Sequence, residues 1–362
     1  MIRHLNIEDV PEDDNTKNIR VLVADDSPTV RLMLCRMLET DPSIKVAGTA
    51  SNGREAVEKV ARLKPDMVTM DVNMPVMDGL AAIEHIMAYN PLPVLVVSSV
   101  VDKQNISNAA KALGAGAVDV ISKPEPKSVD EFNDVAADLR AKIKLLSRVR
   151  VITHPRARLQ AHDSETHLEV VRDSSAEFKK IVAIGSSTGG PQALQRILCS
   201  LPGDLNAGVV IVQHIAKGFT GGLVEWLGHT SKLDVKKGED GLLIHPGEVL
   251  IAPDEIHMIV SSGGRIRLVE RNISGPHKPS ANVLLESVAD VYGSNAIGVI
   301  LTGMGRDGAQ GIKAIHDRGG HTIAQDENTS VIFSMAKEAI KLGGVERVSP
   351  LTEISNIILN FI

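Results

Sequence analysis

The sequence predicts an α/β protein with two doubly wound parallel-sheet domains joined by a polar linker. Three observations predict this fold. Short apolar runs of strand length alternate with amphipathic stretches of helix length through residues 20–146, which is typical of βα units. The same alternation resumes after residue 178. Between the two regions, residues 147–178 are polar and have no sustained apolar period, which is typical of a linker.

The first region predicts five strands and five helices in strict alternation. Strands are predicted at 20–24, 44–48, 66–70, 93–98 and 117–121, and helices at 28–39, 53–63, 79–89, 103–113 and 128–146. The N-terminal residues are polar and acidic with little periodicity, and they are predicted to be disordered. The predicted limits are a tail at 1–18, a first domain at 19–146, a linker at 147–178 and a second domain at 179–362.

Composition narrows the class of protein. Among the 362 residues, 45 Asp and Glu outnumber 39 Lys and Arg, and there are only five Phe, two Tyr and one Trp, so a nucleic-acid partner is not expected. Cys35 and Cys199 lie far apart on predicted helices, which favours a reducing compartment over a disulfide framework. No apolar run reaches the roughly 18 residues that would indicate a membrane-spanning helix, and the N-terminus has no apolar region of the kind found in secretory signals. A cytoplasmic location without membrane insertion is therefore predicted.

Polar side chains lie at the carboxyl ends of the predicted strands of the first region. Asp25 and Asp26 follow the first strand, and Asp71, Ser98 and Lys123 mark the third, fourth and fifth. In an open α/β sheet these ends form the edge that binds ligands. Three converging carboxylates repel one another unless a hard cation joins them, which favours Mg²⁺. Taken singly, each residue also fits a helix cap or a solvated lysine.

Four strings of this region resemble the receiver domain of two-component response regulators. They are VLVADDS at 21–27, DMVTMDVNMPVMDG at 66–79, VVSS at 96–99 and SKP at 122–124. The resemblance implies that Asp71 accepts a phosphoryl group from a histidine kinase and that Ser98 and Lys123 contact the phosphoryl oxygens. The Mg²⁺ ligands that it implies are Asp25, Asp26, Asp71 and the backbone carbonyl of Asn73. Many receivers carry an aromatic switch residue at the position of Val120.

In the second region, Ser187 lies in the pattern G-x-S-x-G at 185–189. An apolar strand precedes this turn and a helical pattern follows it at 192–199, so the serine hydroxyl is expected on a sharp bend beside backbone N–H groups. By itself the pattern fits a structural turn or a phosphate-binding loop equally well. It is not a nucleotide fingerprint, because it lacks both G-x-G-x-x-G and a Gly-Lys-Ser/Thr ending.

Two further apolar strands end near residues that would complete a hydrolytic site. One strand runs into His214, and another, at 295–301, runs into a Gly-rich turn that carries Asp307. In a parallel sheet, Ser187, His214 and Asp307 all emerge at one edge. Acyl transfer needs such a trio, because an imidazole takes the proton of the hydroxyl and a carboxylate orients the imidazole. A lone Asp307 also fits a structural role in its turn.

Rival residues are less well placed. Asp204 precedes its strand and is expected at the opposite edge of the sheet. His257 follows a suggestive turn and is a second-rank candidate. The remaining histidines of this region are interpreted as surface or capping residues: His229, His245, His277, His316 and His321. The chain order Ser, His, Asp differs from that of α/β-hydrolases, which disfavours a lipase-type enzyme.

Residues 179–362 resemble the catalytic domain of the chemotaxis protein-glutamate methylesterase family, often called CheB. The strings are IGSSTGG at 184–190, QH at 213–214, GFT at 218–220, HKPS at 277–280 and ILTGMGRDGA at 300–309. The resemblance implies Ser187 as nucleophile, His214 as general base and acid, and Asp307 as orienting carboxylate. Backbone N–H groups near Thr188 and Met304 are the candidate oxyanion donors.

The two resemblances together imply a serine esterase that phosphorylation activates. It would hydrolyse γ-glutamyl methyl esters on the cytoplasmic helices of membrane chemoreceptors, releasing methanol. Deamidation of glutamine would follow the same tetrahedral route, and the esterase site needs no cofactor. A receiver-controlled binding protein with a non-catalytic second domain stays open as an alternative. A DNA-binding response regulator is disfavoured, because no basic helix-turn-helix follows the linker.

The linker also predicts how the two domains meet. About 30 residues are long enough to bring the carboxyl edges of both sheets together. The receiver would then cover the Ser187 edge and exclude a helical substrate until phosphorylation loosens the contact.

Overall fold

The computed structural model describes residues 18–99, 103–149, 151, 180–270 and 277–362. The predicted tail at 1–18 and the predicted linker at 147–178 lie mostly outside these residues, so the predicted domain limits stay predictions. Among the described helices, none has the length and apolar character needed to cross a membrane.

Strands and helices alternate through the first half of the chain. They are β1 (Ile19–Ala24), α1 (Pro28–Glu39), β2 (Ile44–Ala50), α2 (Gly53–Leu63), β3 (Met67–Met70), α3 (Gly79–Tyr89), β4 (Val94–Ser98), α4 (Lys103–Gly114), β5 (Asp119–Ser122) and α5 (Val129–Leu146). The strands pair in parallel in the order β2-β1-β3-β4-β5. Every predicted element of this half is present, with ends that differ by at most two residues from those predicted.

Four helices of this half begin at side-chain caps. Ser27, Asn52, Asp78 and Ser128 each accept a hydrogen bond from a backbone N–H in the turn that follows. Such a bond satisfies one of the donors that every helix start leaves unpaired. Because Ser27 caps α1, the alternative interpretation of Asp25 or Asp26 as the cap of this helix is wrong.

The second half contains a larger parallel sheet. Its elements are β6 (Lys180–Ser186), α6 (Gly190–Ser200), β7 (Ala207–Gln213), α7 (Thr220–Thr230), β8 (Asp234–Lys237), β9 (Glu248–Ile251), β10 (His257–Ser261), β11 (Arg265–Val269), α8 (Ala281–Tyr292), β12 (Ala296–Ile300), α9 (Ala309–Asp317), β13 (His321–Gln325), α10 (Met335–Lys341), β14 (Arg347–Ser349) and α11 (Leu351–Phe361). Seven strands pair in parallel in the order β14-β13-β12-β6-β7-β9-β8. The predicted parallel sheets are thus confirmed.

An antiparallel hairpin of β10 and β11 adds to the predicted architecture. Its strands alternate between buried and more exposed residues, with Met258, Val260 and Ile266 buried in the core that α8 also lines. This alternation is typical of a small sheet with one covered face, whereas inner strands of the large sheet such as β7, β9 and β12 are buried on both faces.

The order of strands reverses at β6 in the larger sheet. β7 lies on one side of β6 and β12 on the other, and apart from the half-buried Lys180 at the start of β6 all three strands are buried between two apolar cores. A reversal of this kind opens a crevice at the carboxyl ends of the strands, where ligands bind in open α/β sheets. The loops after β6, β7 and β12 therefore surround the preferred ligand position on a rigid support.

The two halves of the chain pack against each other. α4 lies along α7, where a Cβ added to Gly114 would be 2.8 Å from Nε1 of Trp226. Phe219, at the start of α7, is buried in the apolar core of the first sheet beside Ile106. The contact of α4 with α7 and the burial of Phe219 determine how the two halves dock. The length of the linker only allows the halves to meet and does not select the surfaces that touch.

The first sheet reaches the Ser187 loop through the amino end of β5. The backbone N–H of Gly189 donates to the carbonyl of Val118 at 3.3 Å. Asp71 follows β3 at the opposite, carboxyl edge of its sheet. The prediction that the two carboxyl edges face each other is therefore wrong, although the receiver does lie against the Ser187 edge.

Candidate active site and phosphoacceptor site

Ser187 lies on the bend between β6 and α6, as the sequence predicts. Its backbone N–H donates to the carbonyl of Thr302 at 3.0 Å, and its own carbonyl accepts from Gly190 at 2.7 Å. Gly189 has a φ of 78°, and a Cβ there would be 2.6 Å from the side chain of Val331. Glycine is required on both counts. The tight turn leaves Ser187 8 % exposed at the end of the buried strand.

His214 follows β7 directly beside this bend. The last residues of β6 and β7 are paired in register, and the backbone N–H of His214 donates to the carbonyl of Ser186 at 2.9 Å. Its Nε2 lies 2.9 Å from Oδ2 of Asp307, whereas its buried Nδ1 has no hydrogen-bond partner among the described residues. The structure thus brings the three predicted residues to one edge of the sheet. It leaves one imidazole nitrogen available to a hydroxyl.

Gln213 holds the Ser187 bend against the His214 strand, and sequence reasoning did not identify this role. Its Oε1 accepts from Ser186 Oγ at 2.6 Å, and its Nε2 donates to the carbonyl of Ser187 at 2.8 Å. The amide group is buried. The QH string contained this residue, but only the tertiary contact reveals that it joins two strands.

Asp307 is bound at the amino end of α8. Its Oδ1 accepts from Ser280 Oγ at 2.7 Å and from the N–H of Asn282 at 3.0 Å, and its Oδ2 accepts from the N–H of Ala281 at 2.6 Å. Burial would raise the pKa of Asp307, but the hydrogen bond and charge of His214, the Asn282 N–H and the Ser280 hydroxyl outweigh it and lower the pKa to about 2. The carboxylate therefore stays ionised beside the imidazole.

Two further histidines contribute to this site. The ring of His277 stacks on the ring of His214, with centroids 4.2 Å apart and planes 15° apart. The interpretation of His277 as a surface or capping residue is therefore wrong. His257, the second-rank candidate, accepts from the N–H of Ser280 through Nδ1 at 3.2 Å and thus supports the segment that binds Asp307.

The two oxyanion candidates lie on neighbouring loops. Met304 belongs to the loop after β12, in which a Cβ added to Gly303 would be 2.7 Å from Cβ of Ser187. The Met304 side chain is 46 % exposed. The Thr188 hydroxyl donates to Oδ2 of Asp119 in the first half of the chain at 2.8 Å. The backbone N–H groups of both candidates lie in the loops that border Ser187, and their role stays a prediction.

The predicted carboxylates of the first sheet converge at its carboxyl edge. Oxygens of Asp25, Asp26 and Asp71 lie within 4.8 Å of one another, with Asp25 and Asp71 buried and Asp26 exposed. Nζ of Lys123 lies 2.8 Å from Asp71 and 2.9 Å from Asp25. Burial raises the pKa of Asp71, and Lys123 opposes this. A cluster of carboxylate oxygens open on one side fits a hard divalent cation such as Mg²⁺.

The remaining predicted receiver residues surround this cluster. Ser98 is fully buried, and its hydroxyl has no hydrogen-bond partner within the described ranges. The side chain of Asn73 donates to Oδ1 of Asn105 on α4. Val120 is buried in the core beside α4. An unpaired buried hydroxyl is costly, so the position of Ser98 suits a residue that binds an incoming oxygen.

The first sheet has the acidic edge of a receiver domain. The second sheet carries a serine, a histidine and an aspartate at the point where its strand order reverses. Together these two features define a receiver-regulated hydrolase. Family comparison agrees with this class. The model of the response regulator receiver domain matches residues 21–131, and the model of the CheB methylesterase matches residues 182–358. The chain belongs to the protein-glutamate methylesterase/protein-glutamine glutaminase family.

Relatives match nearly the whole chain. A protein-glutamate methylesterase/protein-glutamine glutaminase of Archaeoglobus fulgidus is 44 % identical over 95 % of this chain and 98 % of its own length. One from Anaeromyxobacter dehalogenans is 41 % identical over 93 % of this chain and 95 % of its own length. The crystal structure of the CheB methylesterase catalytic domain of Thermotoga maritima is 39 % identical, with a TM-score of 0.50. The match covers 51 % of this chain and 98 % of the Thermotoga maritima domain.

Proposed function

We propose that the chain is a cytoplasmic, phosphorylation-activated protein-glutamate methylesterase that also deamidates glutamine. Its substrates would be the methylated cytoplasmic helices of membrane chemoreceptors, and its products glutamate and methanol. The pairing of His214 with Asp307 beside Ser187, at the switch point of the sheet, is the observation that carries the proposal. The names of the relatives support the substrate class.

In the proposed reaction, Oγ of Ser187 attacks the ester carbonyl while Nδ1 of His214 takes its proton. The bond to the methoxy group then breaks, and the imidazolium returns the proton to the leaving methanol. Water next loses a proton to His214, attacks the acyl carbonyl and breaks the bond to the serine oxygen, which regains the proton. Asp307 stays ionised throughout and stabilises each imidazolium. With an amide, ammonia leaves in place of methanol.

Developing charge on the carbonyl oxygen needs fixed donors. Backbone N–H groups near Thr188 and Met304 border the Ser187 bend and would supply them. Removing one such donor typically costs a factor of about 100 to 1,000 in rate. A backbone donor also needs no reorganisation during the reaction.

At the receiver edge, Asp71 would accept the phosphoryl group from a histidine kinase. Asp25, Asp26, Asp71 and the carbonyl of Asn73 would hold Mg²⁺, which would neutralise charge on the phosphoryl oxygens. Lys123 is bound to Asp71 and would pair with one of those oxygens. The unpaired hydroxyl of Ser98 would bind another.

Regulation would follow from the contact between the halves. α4 contacts both the receiver site, through Asn105 and Asn73, and the second half, through α7. In this packing the receiver lies against the loop of the nucleophile and would exclude a helical substrate. Phosphorylation would favour a state in which the contact is released.

Two measurements separate this proposal from a receiver-controlled binding protein without catalysis. A fluorophosphonate probe should label the wild-type protein and fail to label Ser187→Ala. Methylated receptor membranes should release methanol when the acetyl-phosphate-treated protein is added. A protein that neither reacts with the probe nor releases methanol would be a binding module.

A further inference from the structure

One short segment touches both members of the His214–Asp307 pair. The imidazole of His277 stacks on the imidazole of His214, with ring centroids 4.2 Å apart. Three residues further on, the hydroxyl of Ser280 donates to Oδ1 of Asp307 at 2.7 Å. The segment is itself anchored, because the N–H of Ser280 donates to Nδ1 of His257 on the antiparallel hairpin. A contact on the ring and a contact on the carboxylate therefore share one support.

The stacking contact fills a gap in how His214 is held. The Nε2 atom is bound to Asp307, and Nδ1 has no partner in the described part of the chain. A single hydrogen bond fixes one atom of a ring but leaves the ring free to tilt about that atom. A second ring packed parallel on its face restricts this tilt, and such aromatic pairs are also favourable in themselves.

We infer that His277 is a positioning residue for the proposed reaction: its ring holds the plane of the His214 imidazole in the orientation from which Nδ1 would take the Ser187 proton. The inference rests on the proposed function, because it assigns a role to a neighbour of the proposed base. It adds a residue outside the Ser, His and Asp trio.

A neutral ring suits this position. His214 becomes a cation when it takes the serine proton, and a second cation stacked on it would repel that charge. Burial lowers the pKa of His277, and the charge of His214 lowers it further, while Asp307 acts in the opposite direction. On this account the imidazole of His277 serves as a flat uncharged surface, and another flat ring could replace it.

The test compares three full-length variants after treatment with acetyl phosphate, using methanol release from methylated receptor membranes. We expect His277→Ala to lower kcat about 10- to 100-fold, because small misplacements of a reacting group cost such factors. KM should stay within about twofold, since the substrate contacts are unchanged. His277→Phe keeps a flat ring and should stay within about threefold of the wild-type kcat. His316→Ala, at an exposed position on α9, is the control and should behave like wild type.

A double variant tests whether His277 acts through the His214–Asp307 pair. Adding His277→Ala to Asp307→Asn should cost clearly less than it costs in the wild type, because both changes misorient the same ring. Fully additive losses would overturn the inference.

Labelling of Ser187 by the fluorophosphonate probe distinguishes a failure of the proposed function from a failure of the inference about His277. If wild-type Ser187 does not react, the proposed function fails and the inference fails with it. If it reacts while His277→Ala keeps the wild-type kcat, only the inference is overturned. The inference is also overturned if His277→Phe is as slow as His277→Ala although both variants unfold at the wild-type temperature.

Discussion

The hydroxyl of Thr188 donates to Oδ2 of Asp119 at 2.8 Å, which links the residue after Ser187 to the first residue of β5. The same carboxylate oxygen accepts from Nζ of Lys142 on α5 at 2.7 Å. Thr188 and Asp119 are both buried between the two halves of the chain. A rearrangement of β5 or α5 would therefore reach the Ser187 loop through one buried, charge-assisted hydrogen bond.

We expect Asp119→Asn to raise methanol release by the unphosphorylated protein about fivefold or more. The substitution keeps the shape of the side chain but removes its charge, and a hydrogen bond to a charged group contributes about 1.5–3 kcal/mol. Asp41→Asn is the matched control, because Asp41 also pairs with a lysine of α5, Lys144, at 2.7 Å. Equal basal rates for Asp119→Asn and wild type would show that this bond does not hold the halves together.

Two adjacent glycines of α7 provide a test of the helix contact. A Cβ at Gly222 would be 2.6 Å from the carbonyl oxygen of Ile106 on α4, whereas a Cβ at Gly221 would have no neighbour within 4 Å. Both substitutions by alanine favour the helix equally. Only Gly222→Ala should separate the halves and raise the basal rate on receptor membranes. Similar rates for the two variants would argue against α4–α7 packing as the inhibitory contact.

A fragment comprising 179–362 should hydrolyse receptor methyl esters faster than the unphosphorylated full-length protein. Without the receiver, Val118 and Asp119 no longer bind Gly189 and Thr188 in the bend of the nucleophile. Acetyl phosphate with Mg²⁺ should bring the full-length rate towards that of the fragment. Asp71→Asn should take no phosphoryl label and stay slow. If fragment and unphosphorylated full-length protein are equally fast at the same salt concentration, the two domains act independently.

Substitutions at the proposed trio should not be additive. Ser187→Ala and His214→Ala should each abolish most turnover, and the double variant should lose little more, because the two residues act as one unit. Asp307→Asn should leave more residual activity, because it only misorients the base. Initial rates of methanol release decide the matter, and full activity of Ser187→Ala would refute the assignment of the nucleophile.

The lowered pKa of Asp307 has a consequence for stability. Its pKa falls from 3.8 to about 2 in the folded protein. From about pH 2 to about pH 5, the carboxyl of Asp307 is more often protonated in the unfolded chain than in the folded protein. The free energy of unfolding therefore rises with pH over this window. From pH 3 to pH 5, the stability advantage of wild type over Asp307→Asn should grow by about 1 kcal/mol. Urea unfolding at both pH values measures it, and a constant difference would contradict the shift.

The sequence alone determined the parallel sheets and the residues that end their strands. Burial of a strand between helices requires a run of apolar residues, and this requirement is local, so the elements of the first half could be predicted to within two residues. Parallel strands end at a common edge, and for this reason Ser187, His214 and Asp307 could be placed together before any contact was known. Resemblance to known families then supplied their expected roles.

Only the tertiary structure decided which side chains complete the site and how the halves dock. His277 lies in a stretch without strand or helix periodicity, and its partner His214 is distant in sequence, so no local pattern indicates the stacking. The contact of Asp119 with Thr188 likewise joins two segments that lie far apart in the sequence. Such contacts arise from close packing between segments far apart in the chain, and packing is a property of the folded surface that the order of residues along one segment does not encode.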